Sequence, residues 1–475
     1  MTTNLLEYLE SAAARFPDKT AFTDESESVT FAELRSRAVA SGAAIASEVK
    51  SVRKPVAVLT RHAARDLAYF FGALYAGCFY VPVDAEAPPE YVAARIAAVN
   101  PALVIDPETF ERGAYSAYAE PPGLLATGTD PAYAIFTSGS SGTPKAAVIS
   151  HAALINLTEW MCGEFGFDER TVFGGQTPFY FDASVPEIYC TLRAAATTHL
   201  LPRKLFFSPL KVMRYLDERR VNTIKWASAA IKLTANSGVL SKYAPQYLET
   251  VMFGGEAMTG KHLNVWRRAL PEARYVNLYG PTETTVDCAY YVADRDFADG
   301  DSIPVGKPVA NTEIILLDGE IAVRGVCVGL GYLGDPERTD AAFVQNPRNT
   351  AYRDVVYLTG DLAEYNDRGE LVCRGRRDSQ VKHMGSRVEL GEIETAAASL
   401  GGVELCACGY DAERGKILLF YQGAADCGAV SDALREKLPR YMLPGDVIKR
   451  EVLPSLSNDK IDRARLMREY YASAD

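Results

Sequence analysis

Two hydrophobic patterns alternate along most of the chain. Apolar residues at helical spacing predict amphipathic helices over 31–40 and 64–75, and short β-branched runs predict buried strands over 56–59 and 79–83. Strands that alternate with helices in this way are typical of a parallel sheet covered by helices on both faces. The sequence therefore predicts an α/β fold, and 475 residues are too many for a single hydrophobic core.

A change of pattern near residue 376 predicts a domain boundary. Beyond it, a helix is followed by strand-like runs over 403–409 and 417–421 and by another helix, in a unit of roughly 95 residues. We therefore expect a large N-terminal domain of layered mixed β-sheets with helices over 1–376, a hinge at 377–378, and a small mobile α+β domain over 379–475.

Charge and composition exclude several function classes. The net charge of −11 argues against a nucleic-acid partner, because phosphate backbones are bound by basic surfaces. No apolar stretch reaches the roughly 20 residues of a membrane span, and the N-terminus lacks the features of a signal peptide. The nine scattered cysteines include no Cys-x-x-Cys pair, which predicts free thiols and a cytoplasmic location.

A run of small residues follows the apolar segment that ends at Phe136. Its members are Thr137, Ser138, Gly139, Ser140, Ser141 and Gly142, with Lys145 just beyond them. Glycines let backbone N–H groups approach an anion, the hydroxyls add donors, and the lysine adds positive charge. The spacing fits neither the Walker loop nor the dinucleotide fingerprint. A flexible linker is the alternative, but apolar runs on both sides favour a triphosphate-binding loop.

Two further motifs each follow a strand-like run. They are Phe-Gly-Gly-Glu-Ala at 253–257 and Asn-Leu-Tyr-Gly-Pro-Thr-Glu at 277–283. Paired glycines admit a flat ring against the backbone, Tyr279 offers a stacking face, and Glu283 offers the hard oxygen ligand that Mg²⁺ prefers. The alternative is two ordinary strand–helix turns.

Three further polar residues are candidates for a site. Asp182, between Phe181 and Ala183, is either the N-cap of the following helix or the partner of a ligand cation. Asp361 ends a strand-like run, where a carboxylate suits the hydroxyls of a ribose. Lys460 lies in a polar turn and, taken alone, is an ordinary surface lysine.

In this order the motifs resemble the adenylate-forming enzymes, in particular the amino-acid adenylation domains of nonribosomal peptide synthetases and the D-alanine–carrier protein ligases. The resemblance spans about 30–465. It implies ATP-dependent activation of an amino acid as aminoacyl-AMP, release of pyrophosphate, and transfer to the phosphopantetheine thiol of a carrier protein. Because no carrier sequence follows Asp475, we expect that carrier protein to be a separate chain.

The resemblance also assigns roles to individual residues. The loop 137–142 would bind the β- and γ-phosphates, Glu283 would hold Mg²⁺, and Asp378 would be the hinge. The catalytic lysines would be Lys145, Lys382 and Lys460. The other nucleotide-binding residues would be Gly255, Glu256, Ala257, Asn277, Leu278, Tyr279, Gly280, Pro281, Thr282, Asp361 and Arg376.

A side-chain pocket follows from the same resemblance, with Asp182 binding the substrate α-ammonium. The pocket residues would be Asp182, Ala183, Pro186, Met252, Gly254, Leu278, Val286 and Asp287. One more residue comes from the strand that contains Lys225, Trp226 and Ala227, in a register that the sequence leaves open. Lys225 would meet an acidic or amide side chain or pair with Asp287, whereas Trp226 would make the pocket shallow. A small or polar amino acid is the expected substrate.

Two rival functions have to be weighed against this one. An acyl- or aryl-acid CoA ligase would use CoA as the thiol, but such enzymes lack the aspartate at position 182. A catalytically silent binding module would keep the fold without the chemistry, but Lys460, Asp361 and Glu283 are all present.

Overall fold

The computed structural model describes residues 2–110, 125–137, 144–377, 380–412, 414–454 and 461–474. These residues form 13 α-helices: α1 (Leu6–Arg15), α2 (Phe31–Val49), α3 (Leu67–Tyr75), α4 (Pro89–Val99), α5 (His151–Phe165), α6 (Val185–Ala194), α7 (Pro209–Glu218), α8 (Ser228–Asn236), α9 (Gly260–Ala269), α10 (Pro336–Ala342), α11 (Leu390–Ala398), α12 (Cys427–Lys437) and α13 (Arg463–Ala474).

The same residues form 25 strands: β1 (Thr20–Thr23), β2 (Ser28–Thr30), β3 (Pro55–Thr60), β4 (Phe79–Asp84), β5 (Leu103–Ile105), β6 (Pro131–Thr137), β7 (Lys145–Ser150), β8 (Val172–Gly175), β9 (Thr197–Leu200), β10 (Thr223–Ala227), β11 (Thr250–Gly254), β12 (Arg274–Tyr279), β13 (Ala289–Val292), β14 (Lys307–Pro308), β15 (Thr312–Leu317), β16 (Glu320–Gly325), β17 (Gly331–Tyr332), β18 (Phe343–Gln345), β19 (Val355–Tyr365), β20 (Leu371–Arg376), β21 (Gln380–His383), β22 (Ser386–Glu389), β23 (Leu405–Asp411), β24 (Lys416–Gln422) and β25 (Asp446–Lys449).

Three sheets dominate the N-terminal part of the chain. One has nine strands in the order β14-β13-β12-β11-β10-β8-β9-β1-β2, and another has six in the order β17-β7-β6-β4-β3-β5. A five-stranded sheet runs β15-β16-β19-β18, with β20 beside β19. Strands β3 and β4 pair in parallel, as their alternation with α3 predicts. The predicted α/β fold class is confirmed.

The centre of the nine-stranded sheet positions the site. Strands β10, β11 and β12 are parallel, with Ala227 beside Gly254 and Gly254 beside Leu278. Because the carboxyl ends of parallel strands meet at one edge of a sheet, the loops that follow these three strands converge there.

The chain divides into two compact units. The first lies within Met1–Ala85, Val99–Phe136 and Ala146–Arg377, and the second within Glu86–Ala98, Thr137–Lys145 and Asp378–Asp475. The second unit contains the hairpin β21-β22 and the sheet β23-β24-β25. The predicted hinge residue Asp378 lies outside the described residues, and the hinge stays a prediction.

Most of helix α4 belongs to the second unit. The Tyr91 and Tyr441 hydroxyls lie 2.9 Å apart. Arg95 lies over the Tyr91 ring and pairs with Glu392 at 3.3 Å. An aromatic and ionic contact therefore joins α4 to residues about 300 to 350 positions later in the chain.

All nine cysteines are free, and six of them are buried. In the described part of the chain, no helix combines the length and hydrophobicity needed to cross a bilayer.

Candidate active site

The loops after β11 and β12 contain two of the sequence motifs and lie at one edge of the nine-stranded sheet. Ser228, at the start of α8, is fully buried, and its hydroxyl donates to the carbonyls of Gly254 and Glu256 at 3.1 and 3.0 Å. This one side chain therefore fixes the path of the loop that follows β11. Ser228 was not anticipated from the sequence, because a serine that begins a helix usually signals a cap.

A carboxylate, a phenol and a guanidinium meet at the predicted ribose position. The Tyr279 hydroxyl donates to Asp361 Oδ2 at 2.7 Å, and Arg376 Nη1 lies 2.5 Å from Asp361 Oδ1. The Asp361 and Arg376 side chains are only 8 and 12% exposed. Burial and the Asp361 charge raise the pKa of Tyr279, so its hydroxyl remains a donor. The structure thus links the predicted adenine and ribose residues directly.

Asp361 does not end its strand, which corrects the sequence interpretation. Strand β19 continues to Tyr365, and Asp361 lies opposite Arg376 of β20 just before a register shift. The register shift after Leu362 interrupts the hydrogen-bond ladder between β19 and β20, one residue after Asp361.

Glu283 lies in the 3₁₀ turn Thr282–Thr284 after β12 and is completely buried. Its Oε1 accepts a 2.7 Å hydrogen bond from the hydroxyl of Tyr332, a residue that the sequence did not single out. Among the described residues no group of three His, Cys, Asp or Glu side chains could hold a metal ion. One carboxylate nevertheless fits Mg²⁺ bound to a nucleotide, because phosphates and water then supply most ligands.

A strained turn presents the next pocket residues. Thr285 and Val286 both have positive φ, at 58° and 68°, which is a rare conformation for β-branched residues. Gly280 permits this turn, because a Cβ there would lie 2.4 Å from the Val286 carbonyl oxygen. The Thr285 hydroxyl donates to the Cys327 carbonyl at 2.6 Å and helps hold the turn. Strain of this kind, about 1–3 kcal/mol per residue, is typical of functional sites.

Asp182 lies in the 3₁₀ turn Asp182–Ser184 and makes no capping hydrogen bond. The N-cap interpretation is therefore wrong; helix α6 follows Ser184 instead. Burial raises the pKa of Asp182, opposed by a hydrogen bond from Thr282 and by the charge of Lys225. Asp182 therefore lies near Thr282 of the loop after β12 and near Lys225.

The register of β10 is settled in favour of Lys225. Its Nζ lies 3.3 Å from Asp287 Oδ2 and 3.4 Å from the Ala183 carbonyl oxygen. Trp226 points to the opposite face, is 1% exposed, and donates its indole N–H to the Gly174 carbonyl at 2.8 Å. The structure therefore brings Lys225 together with the predicted pocket residues Ala183 and Asp287. Lys225 also lies beside the predicted pocket residue Met252 of the neighbouring strand β11.

Two buried polar residues near this pocket were missed by sequence reasoning. Among the described residues, Glu187 Oε1 and the Tyr133 hydroxyl have no hydrogen-bond partner. Burial raises the pKa of Glu187 to about 8, although the nearby Lys225 charge opposes the shift. The charges of Asp182 and Asp287 add to the effect of burial in raising the pKa of Tyr133. The only sequence signal for Glu187 and Tyr133 is that each lies next to a predicted site residue or motif, as Glu187 does after Pro186.

Replacing Glu187 with Gln is expected to reduce the dependence of the free energy of unfolding on pH between about 4.5 and 8. The native carboxyl keeps its proton up to about pH 8, whereas the unfolded group releases it near 4.5. The folded state therefore binds more protons between these values, and the free energy of unfolding falls as pH rises through them, by up to about 1.4 kcal/mol per pH unit. Urea unfolding at pH 6, 7, 8 and 9 should show a shallower fall for Glu187→Gln, and equal slopes would contradict the assignment.

Several predicted nucleotide residues have other contacts in this structure. The Asn277 amide donates to the Pro304 carbonyl at 2.8 Å, and Glu256 pairs with Lys232 at 3.4 Å. Leu278 is buried, whereas Gly255 and Ala257 are exposed. Of these predicted residues, Gly255 and Ala257 are therefore accessible at the surface of the loop.

The phosphate loop and the catalytic lysines are only partly described. Thr137 ends β6 with a buried hydroxyl that has no hydrogen-bond partner in the described chain, and Lys145 begins β7. Lys382 lies in β21, and its carbonyl accepts a 3.0 Å hydrogen bond from the Tyr410 hydroxyl. The predicted residues outside the described part are Ser138, Gly139, Ser140, Ser141, Gly142, Asp378 and Lys460.

Sequence comparison gives a match over most of the chain. Residues 9–333 match the family model described as AMP-binding enzyme. The D-alanine–D-alanyl carrier protein ligase of Bacillus licheniformis is 30% identical, with 98% of this chain and 99% of that protein aligned. The L-proline–[L-prolyl-carrier protein] ligase of Pseudomonas fluorescens is 28% identical, with the same coverage. By contrast, the chain spans only 44% of tyrocidine synthase 1 from Brevibacillus parabrevis, to which it is 28% identical.

Solved structures give a similar result. Holo-PA1221, a nonribosomal peptide synthetase protein with adenylation and PCP domains bound to a vinylsulfonamide inhibitor, matches with a TM-score of 0.85 and 26% identity. The match covers 98% of this chain and 84% of that one. IdnL1 matches with a TM-score of 0.79 and 27% identity over 95% of this chain and 99% of its own.

Proposed function

Because the chain belongs to the family of AMP-binding enzymes, we propose that it activates an amino acid with ATP. The products are aminoacyl-AMP and pyrophosphate, and the aminoacyl group then passes to the phosphopantetheine thiol of a separate carrier protein. The observation that carries the proposal is the place of Asp182. The pKa of this carboxylate responds to a hydrogen bond from Thr282 and to the charges of Lys225, Asp287 and Glu283, so Asp182 lies near both the nucleotide loop and the Lys225–Asp287 pair. A substrate α-ammonium bound to it would hold the adjacent carboxylate beside the nucleotide loop.

The nucleotide is expected along the loop edge of the nine-stranded sheet. The Asp361 carboxylate would accept the ribose hydroxyls, with Tyr279 and Arg376 fixing its orientation. The loop 137–142 and Lys145 would bind the phosphates. Mg²⁺ held by Glu283 would offset phosphate charge.

The first reaction then depends on positioning and charge. One oxygen of the amino-acid carboxylate bonds to the α-phosphorus, the bond from that phosphorus to the bridging oxygen breaks, and pyrophosphate leaves. Two anions approach each other in this step, so Lys145 and Lys460 would stabilise the transition state electrostatically. In the second reaction the carrier thiol attacks the aminoacyl carbonyl, a thioester forms, and AMP leaves. Lys382 and the hinge Asp378 would serve this later step, as the resemblance implies.

An acyl- or aryl-acid CoA ligase is the alternative. Such a substrate has no ammonium group, so Asp182 would lie against an apolar chain without a substrate cation to offset its charge, which is energetically unfavourable. The ATP requirement and the nine free cysteines favour a cytoplasmic location for either reaction.

An ATP–pyrophosphate exchange assay across the twenty amino acids, fatty acids and aryl acids tests the proposal. We expect exchange with at least one amino acid and loss of that exchange by orders of magnitude in Lys460→Ala. Exchange with fatty or aryl acids alone, together with CoA thioester formation, would establish the alternative. Wild-type protein that binds ATP but exchanges with no acid would be a silent binding module.

A further inference from the structure

The polar end of the side-chain pocket is an ion pair rather than a single charge. Lys225 Nζ and Asp287 Oδ2 lie 3.3 Å apart, and the two side chains are only 7 and 6% exposed. An ammonium has three donors. Within the described residues, Lys225 Nζ donates a hydrogen bond to the Ala183 carbonyl and lies at an ionic distance from Asp287, so a donor remains for a ligand.

Asp287 retains acceptor capacity on the other side of the pair. Its Oδ2 is buried and receives no hydrogen bond from the described residues, since Lys225 approaches at an ionic distance without hydrogen-bond geometry. The pair therefore presents a donor and an acceptor side by side.

The charges of the remaining groups nearly cancel. Asp182 would be balanced by the substrate α-ammonium, and Lys225 balances Asp287. Glu187 remains protonated at neutral pH because burial raises its pKa to about 8. A charged substrate side chain would thus add an unbalanced charge to a buried site, which is costly.

We propose that this pocket selects an amino acid whose side chain ends in a primary carboxamide. The inference rests on the proposed amino-acid activation. The carboxamide oxygen accepts from Lys225 Nζ, and its NH₂ group donates to Asp287 Oδ2. The buried apolar residues Met252, Leu278 and Val286 contact the methylene part of the side chain.

Each competing side-chain class leaves at least one member of the pair unsatisfied. A carboxylate has no proton to donate to Asp287, and an ammonium faces Lys225 with the same charge. An apolar isostere offers neither a donor nor an acceptor. Sites built to hydrogen-bond a substrate group reject analogues without that group strongly.

The first test compares matched substrates with wild-type protein. ATP–pyrophosphate exchange is measured for Asn against Asp and Leu, for Gln against Glu and Met, and for ornithine. We expect kcat/KM for one amide to exceed that of its acid and its apolar isostere by about 100-fold or more. An acid, ornithine or an apolar residue that matches or exceeds both amides would overturn the inference. Exchange with no amino acid at all would instead contradict the proposed function.

The second test removes one charge. Asp287→Asn leaves the Lys225 charge unbalanced, so the ratio of acid to amide kcat/KM should rise by about 100-fold. Trp226→Phe is the matched control, because it changes the neighbouring residue on the opposite face of β10 and should leave this ratio unchanged. A ratio that does not move in Asp287→Asn would contradict the selection of a carboxamide by the pair.

The double variant Lys225→Met with Asp287→Leu guards against a folding failure. Buried ion pairs are often replaced by apolar residues of similar size without loss of stability. This variant should prefer Leu or Met over the amides, and a retained amide preference would overturn the inference.

Discussion

Asp182→Asn is expected to lower kcat/KM for the preferred amino acid by about 1,000-fold while leaving ATP affinity within a factor of two or so. The asparagine keeps the size of the side chain and can still accept from Thr282, but it carries no charge for the α-ammonium. Exchange kinetics with the amino acid varied, and ATP titration by calorimetry, measure the two effects separately.

The same substitution is expected to maintain or raise the free energy of unfolding. Burial raises the pKa of Asp182, which means that the folded protein disfavours its charged form. A neutral isostere removes that cost. Asp296→Asn, at a fully exposed carboxylate, is the control and should change neither kcat/KM for the amino acid nor the free energy of unfolding. Activity of Asp182→Asn within tenfold of wild type would refute the assignment of the ammonium site.

Asp361→Ala is expected to raise KM for ATP by about 100-fold and to lower the free energy of unfolding by about 3–5 kcal/mol. The carboxylate is the shared partner of Tyr279 and Arg376, so its removal leaves a buried guanidinium without that partner. ATP saturation of the exchange reaction and urea unfolding give the two values.

A double variant separates the nucleotide role from the structural role. Asp361→Leu with Arg376→Leu removes both charges and should recover most of the lost stability, because neither charge of this pair is left buried without the other. ATP binding should remain weak. Normal ATP affinity in the double variant would mean that Asp361 acts only through the fold.

The spacing of apolar residues was sufficient to predict the α/β architecture, because the periods of helices and strands are local properties of the sequence. The apolar runs that end at Leu59, Val83 and Phe136 lie in β3, β4 and β6, as predicted. The motif loops meet because parallel strands end at one edge of the sheet, which places Gly254 beside Leu278, next to Tyr279.

Side-chain direction and distant partners could not be predicted in this way. The period of a strand makes Lys225 and Trp226 mutually exclusive in the pocket, but the choice depends on Gly174, which accepts the indole N–H. Asp182 resembled a helix cap because its partner Thr282 lies 100 residues later. Nothing local in Tyr91 indicates that its hydroxyl meets Tyr441.

Because successive side chains of β10 point to opposite faces of the sheet, Lys225 and Trp226 are subject to different constraints. In the proposed pocket, the residue type at position 225 can change with the substrate. The residue at position 226 is constrained only by packing, since Trp226 packs against Phe206 on the other face of the sheet. A combinatorial library restricted to 225 and 287 would therefore sample new substrate preferences while leaving this part of the hydrophobic core untouched. Under the proposed carboxamide selection, a new substrate preference obtained through these two positions would need no compensating change among the residues packed against Trp226.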